Sequence, residues 1–257
     1  IVNVGDLIEG GTTDRDQLAK EWDSFDRRVA RARAPVFYTG GNHDLTNPEM
    51  WRVWEERYGR RYYHFIYKDV LFLVLDTEDN TAEVQWELSR IRDEAMAVVA
   101  EKGWDAFAGT EYGRSTLRSS GNISAGQAAY FKRVIAQNEQ VRWTFVLMHK
   151  PAWERPDEEY FAGIEAALSQ RPYTVFYGHV HSYLHVQRNG RDYIRLATTG
   201  GVQNVKKDMA IDHVTLVTVS ESGVDIANLR LSGIFDKTGR IPLDGETRCF
   251  DAKNCDP

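Results

Sequence analysis

The stretch FYTGGNHDL, from Phe37 to Leu45, places an amide, an imidazole and a carboxylate side by side directly after an apolar run. That run, Val36–Tyr38, predicts a buried strand, because β-branched and aromatic residues are enriched in strands. By itself the polar cluster is typical of a turn, since Gly and Asn tolerate positive φ and Asp caps helices. The cluster consists of Gly41, Asn42, His43 and Asp44.

Three further apolar runs end in the same way. IVNVGD ends in Asp6, TFVLMH ends in His149, and VFYGHVH ends in His179 and His181. A lone histidine at a strand end is usually structural, but the carboxyl ends of neighbouring strands form the binding crevice of an α/β sheet. Four such endings therefore predict one metal site. Imidazole nitrogens with carboxylate and amide oxygens suit Zn, Mn, Fe or Ni better than Ca or a thiolate-held metal.

Length and composition predict a single globular domain over 1–257, with a C-terminal tail at 232–257. No change in composition marks a linker in the 257 residues, of which 42% are hydrophobic. The formal net charge of −6 argues against a broad nucleic-acid surface, because phosphate binding needs clustered Lys and Arg. No apolar stretch is long enough to predict a membrane span.

The two cysteines, Cys249 and Cys255, both lie in this tail. Their short separation permits a small disulfide-closed loop, which would suit an oxidising, extracytoplasmic compartment. Two unpaired thiols are an equal alternative. The location of the protein is therefore left open.

Hydrophobic periodicity predicts alternating helices and strands, followed by a β-rich C-terminal half. This order is typical of an α/β fold with a mixed sheet. The segment 103–121 is expected to be a loop, with Tyr112 and Arg114 in solvent, and Asp76 is expected to make a turn or cap a helix. The predicted strands cover 1–5, 35–40, 62–67, 70–76, 141–149 and 173–178. The predicted helices cover 14–33, 48–58, 83–102, 124–138 and 157–170.

The order GD, GNHD, H, GHxH resembles that of the calcineurin-like metallophosphoesterases. The segments GDLIEGG, GGNHD, LMHKP and YGHVHSY each look like a block of that family, and together they run from Asp6 to His181. The resemblance implies a four-layer α/β/β/α sandwich with two mixed β-sheets. It also implies two metal ions at the centre and the hydrolysis of phosphate esters.

The resemblance assigns the ligands residue by residue. Asp6 would bridge the two metals, since a carboxylate has two oxygens and a negative charge. Asn42, His149 and His179 would complete one metal site, and His181 would belong to the other. The ions would be divalent or trivalent Mn, Fe, Zn or Ni. Two adjacent cations can activate water and clamp a phosphoryl group.

The same match gives the two catalytic residues. His43 would face the substrate and protonate the leaving alkoxide, which suits an imidazole because it titrates near neutral pH. Asp44 would hold the ring of His43. The two glycines before Asn42 would let the backbone turn close to the metal.

Several family features are absent. No Asp-x-His strand precedes Asp6 in this sequence, so we expect either a missing first strand or an incomplete second metal site. No Tyr stands three residues after Asp6, as the tyrosinate-iron purple acid phosphatases would require. No Asp-Arg-Gly follows Gly5 either, as it does in the protein Ser/Thr phosphatases. The bacterial phosphodiesterase-like and phosphatase-like branch is the better match.

The predicted function is hydrolysis of phosphate mono- or diesters by a dinuclear metal centre. Two alternatives are a metallohydrolase acting on non-phosphate esters and a non-catalytic metal-binding member of the fold. The motif order argues against the first. The presence of a proton donor such as His43 argues against the second.

Overall fold

The computed structural model describes residues 1–156, 158–203 and 209–231. The chain divides into two compact units. The first comprises Ile1–His179 and Gln187–Tyr193, and the second comprises Val180–Val186 and the described residues from Ile194 onwards. The predicted tail, with both cysteines, lies outside the described residues.

The larger sheet of the described chain has six strands in the order β1-β2-β3-β4-β6-β5. β1 pairs antiparallel with β2, whereas β2, β3 and β4 are parallel neighbours, so the sheet is mixed. A second sheet is an antiparallel hairpin of β7 (His213–Ser220) and β8 (Gly223–Arg230). The predicted α/β class with two sheets is confirmed. The six strands are β1 (Tyr63–Tyr67), β2 (Val70–Val74), β3 (Trp143–Leu147), β4 (Tyr173–Tyr177), β5 (Leu184–Arg188) and β6 (Arg191–Arg195).

Side-chain caps explain where several helices begin. Asp14 accepts hydrogen bonds at the start of α1, and Asn47 does so at α2, whose first residue is Pro48. Ser124 caps α6 as its sequence predicts. None of the described helices is both long and apolar enough to cross a membrane. The helices are α1 (Arg15–Val29), α2 (Pro48–Tyr58), α3 (Ala82–Lys102), α4 (Glu111–Arg114), α5 (Thr116–Ser120), α6 (Ala125–Gln137) and α7 (Tyr160–Leu168).

Two of the apolar clusters in the described part of the chain hold most of these elements. The larger is formed by β2, β3 and β4 against α6 and α7, and side chains such as Phe131 and Ile164 are fully buried in it. The other lies between α1 and α2, where Trp22 and Trp54 pack edge to face with ring centres 5.7 Å apart. The parallel strands thus end on a rigid core, which fixes the residues that follow them.

Two predicted strands are wrong. The segments 1–5 and 35–40 make only an isolated parallel bridge between Val2 and Phe37. The side chain of Asn3 takes the place of the next backbone hydrogen bonds between the two segments. Its Oδ1 accepts from Thr39 N–H (3.1 Å), and its Nδ2 donates to the Phe37 carbonyl (3.2 Å). The predicted loop 103–121 is also wrong in part, because it contains a 3₁₀ helix (Trp104–Gly109) before α4 and α5.

Candidate metal centre

Three electron-rich atoms meet at the carboxyl end of β3. His149 Nε2 lies 3.1 Å from Asp6 Oδ2 and 3.1 Å from Asn42 Oδ1. The other ring nitrogen, Nδ1, lies 2.7 Å from the carbonyl oxygen of Val4, which only accepts hydrogen bonds, so Nδ1 donates. Nε2 therefore faces two acceptors. This arrangement needs a positive charge between the three atoms, supplied by a proton on Nε2 or by a cation that replaces it.

The donor set fits a metal ion. Imidazole nitrogen, carboxylate oxygen and amide oxygen suit the transition metals predicted from the sequence. The Val4 carbonyl adds to the fit, because metal-binding histidines usually donate their second N–H to a carbonyl or carboxylate. Within the described chain, no group of three or more His, Cys, Asp or Glu side chains forms a metal cluster. The centre therefore depends on the amide of Asn42 as a third donor.

His179 lies beside this group because β3 and β4 are parallel neighbours. The ladder continues past both strands, with Gly178 N–H donating to the His149 carbonyl at 2.9 Å. The two imidazole rings are 5.2 Å apart between centres, at 74°. Burial, together with the positive charges of His149 and Lys150, holds the pKa of His179 well below its usual range. A neutral ring keeps a lone pair that a metal ion can bind.

Strained backbone marks these positions. Asp6 and His179 have φ values of 58° and 72°, a region that residues other than glycine rarely adopt. Such strain persists only where the surrounding structure imposes it, and it is concentrated at functional sites. His181 has a φ of 57°. It belongs to the second unit, so its membership of the metal centre stays a prediction.

The carboxylate of Asp6 is held in its charged form. Burial alone would raise the pKa of Asp6, but the charge and hydrogen bond of His149 and the nearby His43 hold that pKa well below its usual range. Oδ1 accepts the backbone N–H of His43 at 3.0 Å, and Oδ2 faces His149. The two oxygens thus point to different partners.

Glycines let the backbone approach these groups closely. A Cβ atom on Gly41 would lie 2.2 Å from Asp6 Oδ1, closer than any side chain tolerates. A Cβ on Gly5, which has a φ of 99°, would lie 2.7 Å from His149 Nδ1. Any larger residue at either position would displace a predicted ligand.

Asp44 does not hold the ring of His43, so that part of the prediction is wrong. Its carboxylate is buried and accepts three backbone N–H groups, from Leu7 (2.8 Å), Ile8 (3.1 Å) and Gly41 (2.8 Å). Burial and the charge of Asp6 raise the pKa of Asp44 to about 7. Asp44 thus fixes the loop after Asp6 against the Gly41 turn. The ring of His43 is held instead by a carbonyl oxygen, that of Glu9, 2.7 Å from Nδ1.

A comparison with known families shows which family the chain belongs to. The family model of the calcineurin-like phosphoesterases matches residues 1–183, which is well over half of the chain. The chain belongs to the calcineurin-like phosphoesterase family. It is therefore a metallophosphoesterase by family, and members of this family typically use divalent metal ions. The comparison with curated proteins gives no match.

Solved structures of low sequence identity resemble this phosphoesterase. GAP50, the anchor in the inner membrane complex of Plasmodium, has 14% identity and a TM-score of 0.47, over 94% of this chain and 75% of its own. Phosphopantetheinyl hydrolase from Mycobacterium tuberculosis has 13% identity and a TM-score of 0.39, over 76% and 78%. A single mutant of Vps29 from Entamoeba histolytica has 9% identity and a TM-score of 0.32, over 90% and 81%.

Sequence reasoning missed a group of charged residues next to the candidate metal centre. Lys150, which follows His149 directly, is buried and pairs with the buried carboxylate of Glu78 at 2.6 Å. Tyr112, predicted to be in solvent, is only 9% exposed and lies in the same region. The one available signal was a lysine immediately after a ligand-type histidine. Its partner is 72 positions away in the sequence, and no local pattern identifies it.

Proposed function

We propose that this phosphoesterase hydrolyses phosphate mono- or diesters at a centre of two metal ions, with His43 as the proton donor. The observation that carries the proposal is the meeting of Asp6, Asn42 and His149 around a position that needs positive charge. Family membership supports the reaction class.

Each ligand has a distinct part in binding. Asp6 would hold both metal ions through its carboxylate, whose two oxygens face different partners, His43 N–H and His149. Asn42 adds an oxygen without charge, which leaves the centre positive enough to attract an anionic phosphoryl group. His149 and His179 add imidazole nitrogens. When bound, the two metal ions supply the charge that activates water and neutralises phosphoryl oxygens.

His43 is suited to hold and release a proton. Its Nδ1 faces the Glu9 carbonyl, so Nδ1 keeps a hydrogen and Nε2 is the atom that can exchange one. The Glu9 carbonyl fixes the orientation of the His43 ring. Nε2 can therefore donate to the leaving oxygen without a change of side-chain rotamer. Asp44 contributes indirectly, by fixing the loop that carries Asp6.

The first prediction separates metal binding from proton transfer. Asp6→Ala should lose metal, because the proposed bridge is removed. His43→Ala should keep the metal and lower turnover of phosphate esters. The wild type should show no activity toward carboxylate esters. Metal content is measured by elemental analysis of each purified variant.

A matched control is His64→Ala, because Nδ1 of His64 lies 2.6 Å from the hydroxyl of Tyr130 and the residue has no role in the proposed centre. This variant should keep both metal and turnover. Equal metal loss in the Asp6 and His43 variants would overturn the assigned roles. Normal metal content in Asp6→Ala would mean that Asp6 only stabilises the loop.

A further inference from the structure

A cavity beside Asn42 is lined by more positive than negative side chains. The volume of the cavity is close to that needed for one water molecule. The cations are Lys150 from the turn after β3, Arg92 from α3 and Arg118 from α5, and the one carboxylate in the lining is Glu78. The full lining is Asn42, Thr46, Glu78, Gln85, Leu88, Arg92, Tyr112, Leu117, Arg118 and Lys150.

One of these cations is already neutralised. Lys150 Nζ lies 2.6 Å from Glu78 Oε1 and donates to the Leu117 carbonyl at 3.0 Å. Both charged side chains are almost fully buried, at 3% and 2% exposure. A buried pair of this kind is a fixed part of the wall, because breaking it would leave an isolated buried charge.

The two arginines are not neutralised in the same way. The carboxylate paired with Arg92 is that of Asp93, 3.7 Å away and 65% exposed, where water screens it. Arg118 lies over the ring of Phe107 at 5.5 Å. Its Nε is buried and has no hydrogen-bond partner within the described part of the chain. An unsatisfied buried donor is costly, and an oxyanion is the partner that best satisfies a guanidinium.

Both arginines are close to the proposed metal centre. Arg118 and Lys150 line the same cavity as Asn42, which is a proposed ligand. Arg92 packs on the loop that follows Asp6, since a Cβ on Gly11 would lie 2.7 Å from Arg92 Nη1. An anion between the arginines would therefore adjoin a substrate held at the centre.

We propose that Arg92 and Arg118 bind a second phosphate of the substrate, the one that is not hydrolysed. This inference rests on the proposed function and names its substrate class: compounds with two linked phosphates, such as nucleoside diphosphates. Water adds to the terminal phosphorus and the P–O bond to the inner phosphate breaks, so inorganic phosphate and a nucleoside monophosphate are released. Arg92, whose paired carboxylate is exposed, and Arg118 lie beside the proposed centre of two cations, and this suits a substrate with more negative charge than one phosphoryl group.

The small size of the cavity places the second phosphate at its mouth. Arg92 is 18% exposed and Arg118 is partly exposed, so an anion can reach both side chains from solvent. Lys150 and Glu78 cannot follow, because they are buried and paired. Arg92 and Arg118 are therefore the specificity-determining residues. The buried ion pair of Lys150 and Glu78 holds the cavity wall in place.

A binding titration tests the subsite without turnover. Metal-free protein in EDTA is titrated calorimetrically with inorganic phosphate at low ionic strength. Arg118→Met should weaken binding at least about tenfold, since it removes a charge-assisted hydrogen bond. The matched control is Arg90→Met, because Arg90 is also on α3 but is exposed and paired with Glu87 and Glu94. Equal affinity in wild type and Arg118→Met would overturn the subsite.

A kinetic comparison tests the substrate class. For the metal-loaded enzyme, kcat/KM is measured with adenosine diphosphate and with adenosine monophosphate. The wild type and Arg90→Met should prefer the diphosphate, and Arg118→Met should lose most of that preference while its rate on the monophosphate changes little. A circular dichroism melt checks that Arg118→Met is folded.

The outcomes separate this inference from the proposed function. Equal loss on both nucleotides in Arg118→Met would show that the arginine holds the hydrolysed phosphate, which overturns the inference alone. Absence of any preference in the wild type would overturn it as well. If the wild type hydrolyses neither nucleotide, the proposed activity on these substrates fails, and the phosphate titration alone decides whether the subsite exists.

Discussion

At the scale of single residues, the rings of His43 and His149 are held in the same way, although their proposed roles differ. Each ring places Nδ1 against a backbone carbonyl oxygen, that of Glu9 or Val4, so that Nε2 is the free nitrogen. At His149, Nε2 faces a carboxylate and an amide oxygen, whereas we propose that His43 Nε2 faces the substrate. The surroundings of Nε2 therefore distinguish the proposed ligand from the proposed proton donor.

The second prediction tests the proton donor. His43→Ala should slow hydrolysis of alkyl phosphate esters by about 10²–10⁴, the usual contribution of a general acid. Nitrophenyl phosphate esters should be slowed much less, because nitrophenolate leaves without a proton. Steady-state rates on the two ester types, with metal content held equal, measure the difference. Equal losses on both would mean that His43 binds the phosphoryl group instead.

Sequence reasoning succeeded for some of these residues and failed for others. Asp6, Asn42 and His149 could be placed together because each follows an apolar run and matches a family motif. The role of Asp44 was wrong, since its neighbour in sequence, His43, points elsewhere in space. The partner of His43, the Glu9 carbonyl, is a backbone atom, and no residue pattern identifies it.

At the scale of elements, the ends of the parallel strands organise the centre. The turn after β2 carries Asp76, the turn after β3 carries His149, and the turn after β4 carries His179. The predicted turn role of Asp76 is confirmed, because its Oδ1 accepts from Glu78 N–H at 2.8 Å. Its other oxygen lies 3.1 Å from Arg61 Nη1.

The third prediction concerns pH and this turn. Burial raises the pKa of Asp76 from 3.8 to about 7, although the charge of Arg61 opposes it. The folded state keeps this proton up to a higher pH than the unfolded state does. The contribution of Asp76 to the free energy of unfolding is therefore fully present below pH 4. It is lost as the pH rises to about 7, by at most about 4 kcal/mol.

Urea unfolding from pH 4 to pH 8 measures this loss. Asp76→Asn should have a flatter dependence on pH than the wild type, whatever its absolute stability. Asp225→Asn, at an exposed position of β8, is the control and should keep the wild-type slope. An unchanged slope in Asp76→Asn would assign the pH dependence to other groups.

Regular elements were easier to predict than irregular ones. The helix at Pro48–Tyr58 and the hairpin of β1 and β2 were predicted closely, because proline, a capping residue and alternating apolar residues are local signals. The strand prediction at 1–5 failed because Asn3 takes over hydrogen bonds that a strand would form with its backbone. Whether a side chain replaces a ladder depends on tertiary geometry, which apolar patterning does not contain.

At the scale of the whole molecule, the proposed ligands of the first unit join distant parts of the sequence, from Asp6 to His179. The loop after Asp6, the Gly41 turn and the ends of β3 and β4 meet only in the folded chain. The motif order predicted this meeting, and the family match over residues 1–183 agrees with it. The motif order could not predict the arginine cavity, because Arg92 of α3 and Arg118 of α5 lie outside the motifs.

The last prediction follows from that long-range assembly. An unfolded chain holds these ligands too far apart to bind one ion, so metal should bind the folded state alone and stabilise it by mass action. At free metal a hundredfold above its Kd, the gain is about 2.7 kcal/mol, which for a domain of this size raises Tm by roughly 5–10 °C. Calorimetric melts in Mn²⁺ and in EDTA measure the shift. Asp6→Ala should abolish it, and Asp225→Ala should retain it. An equal shift in the Asp6 variant would place the stabilising ion outside the proposed centre.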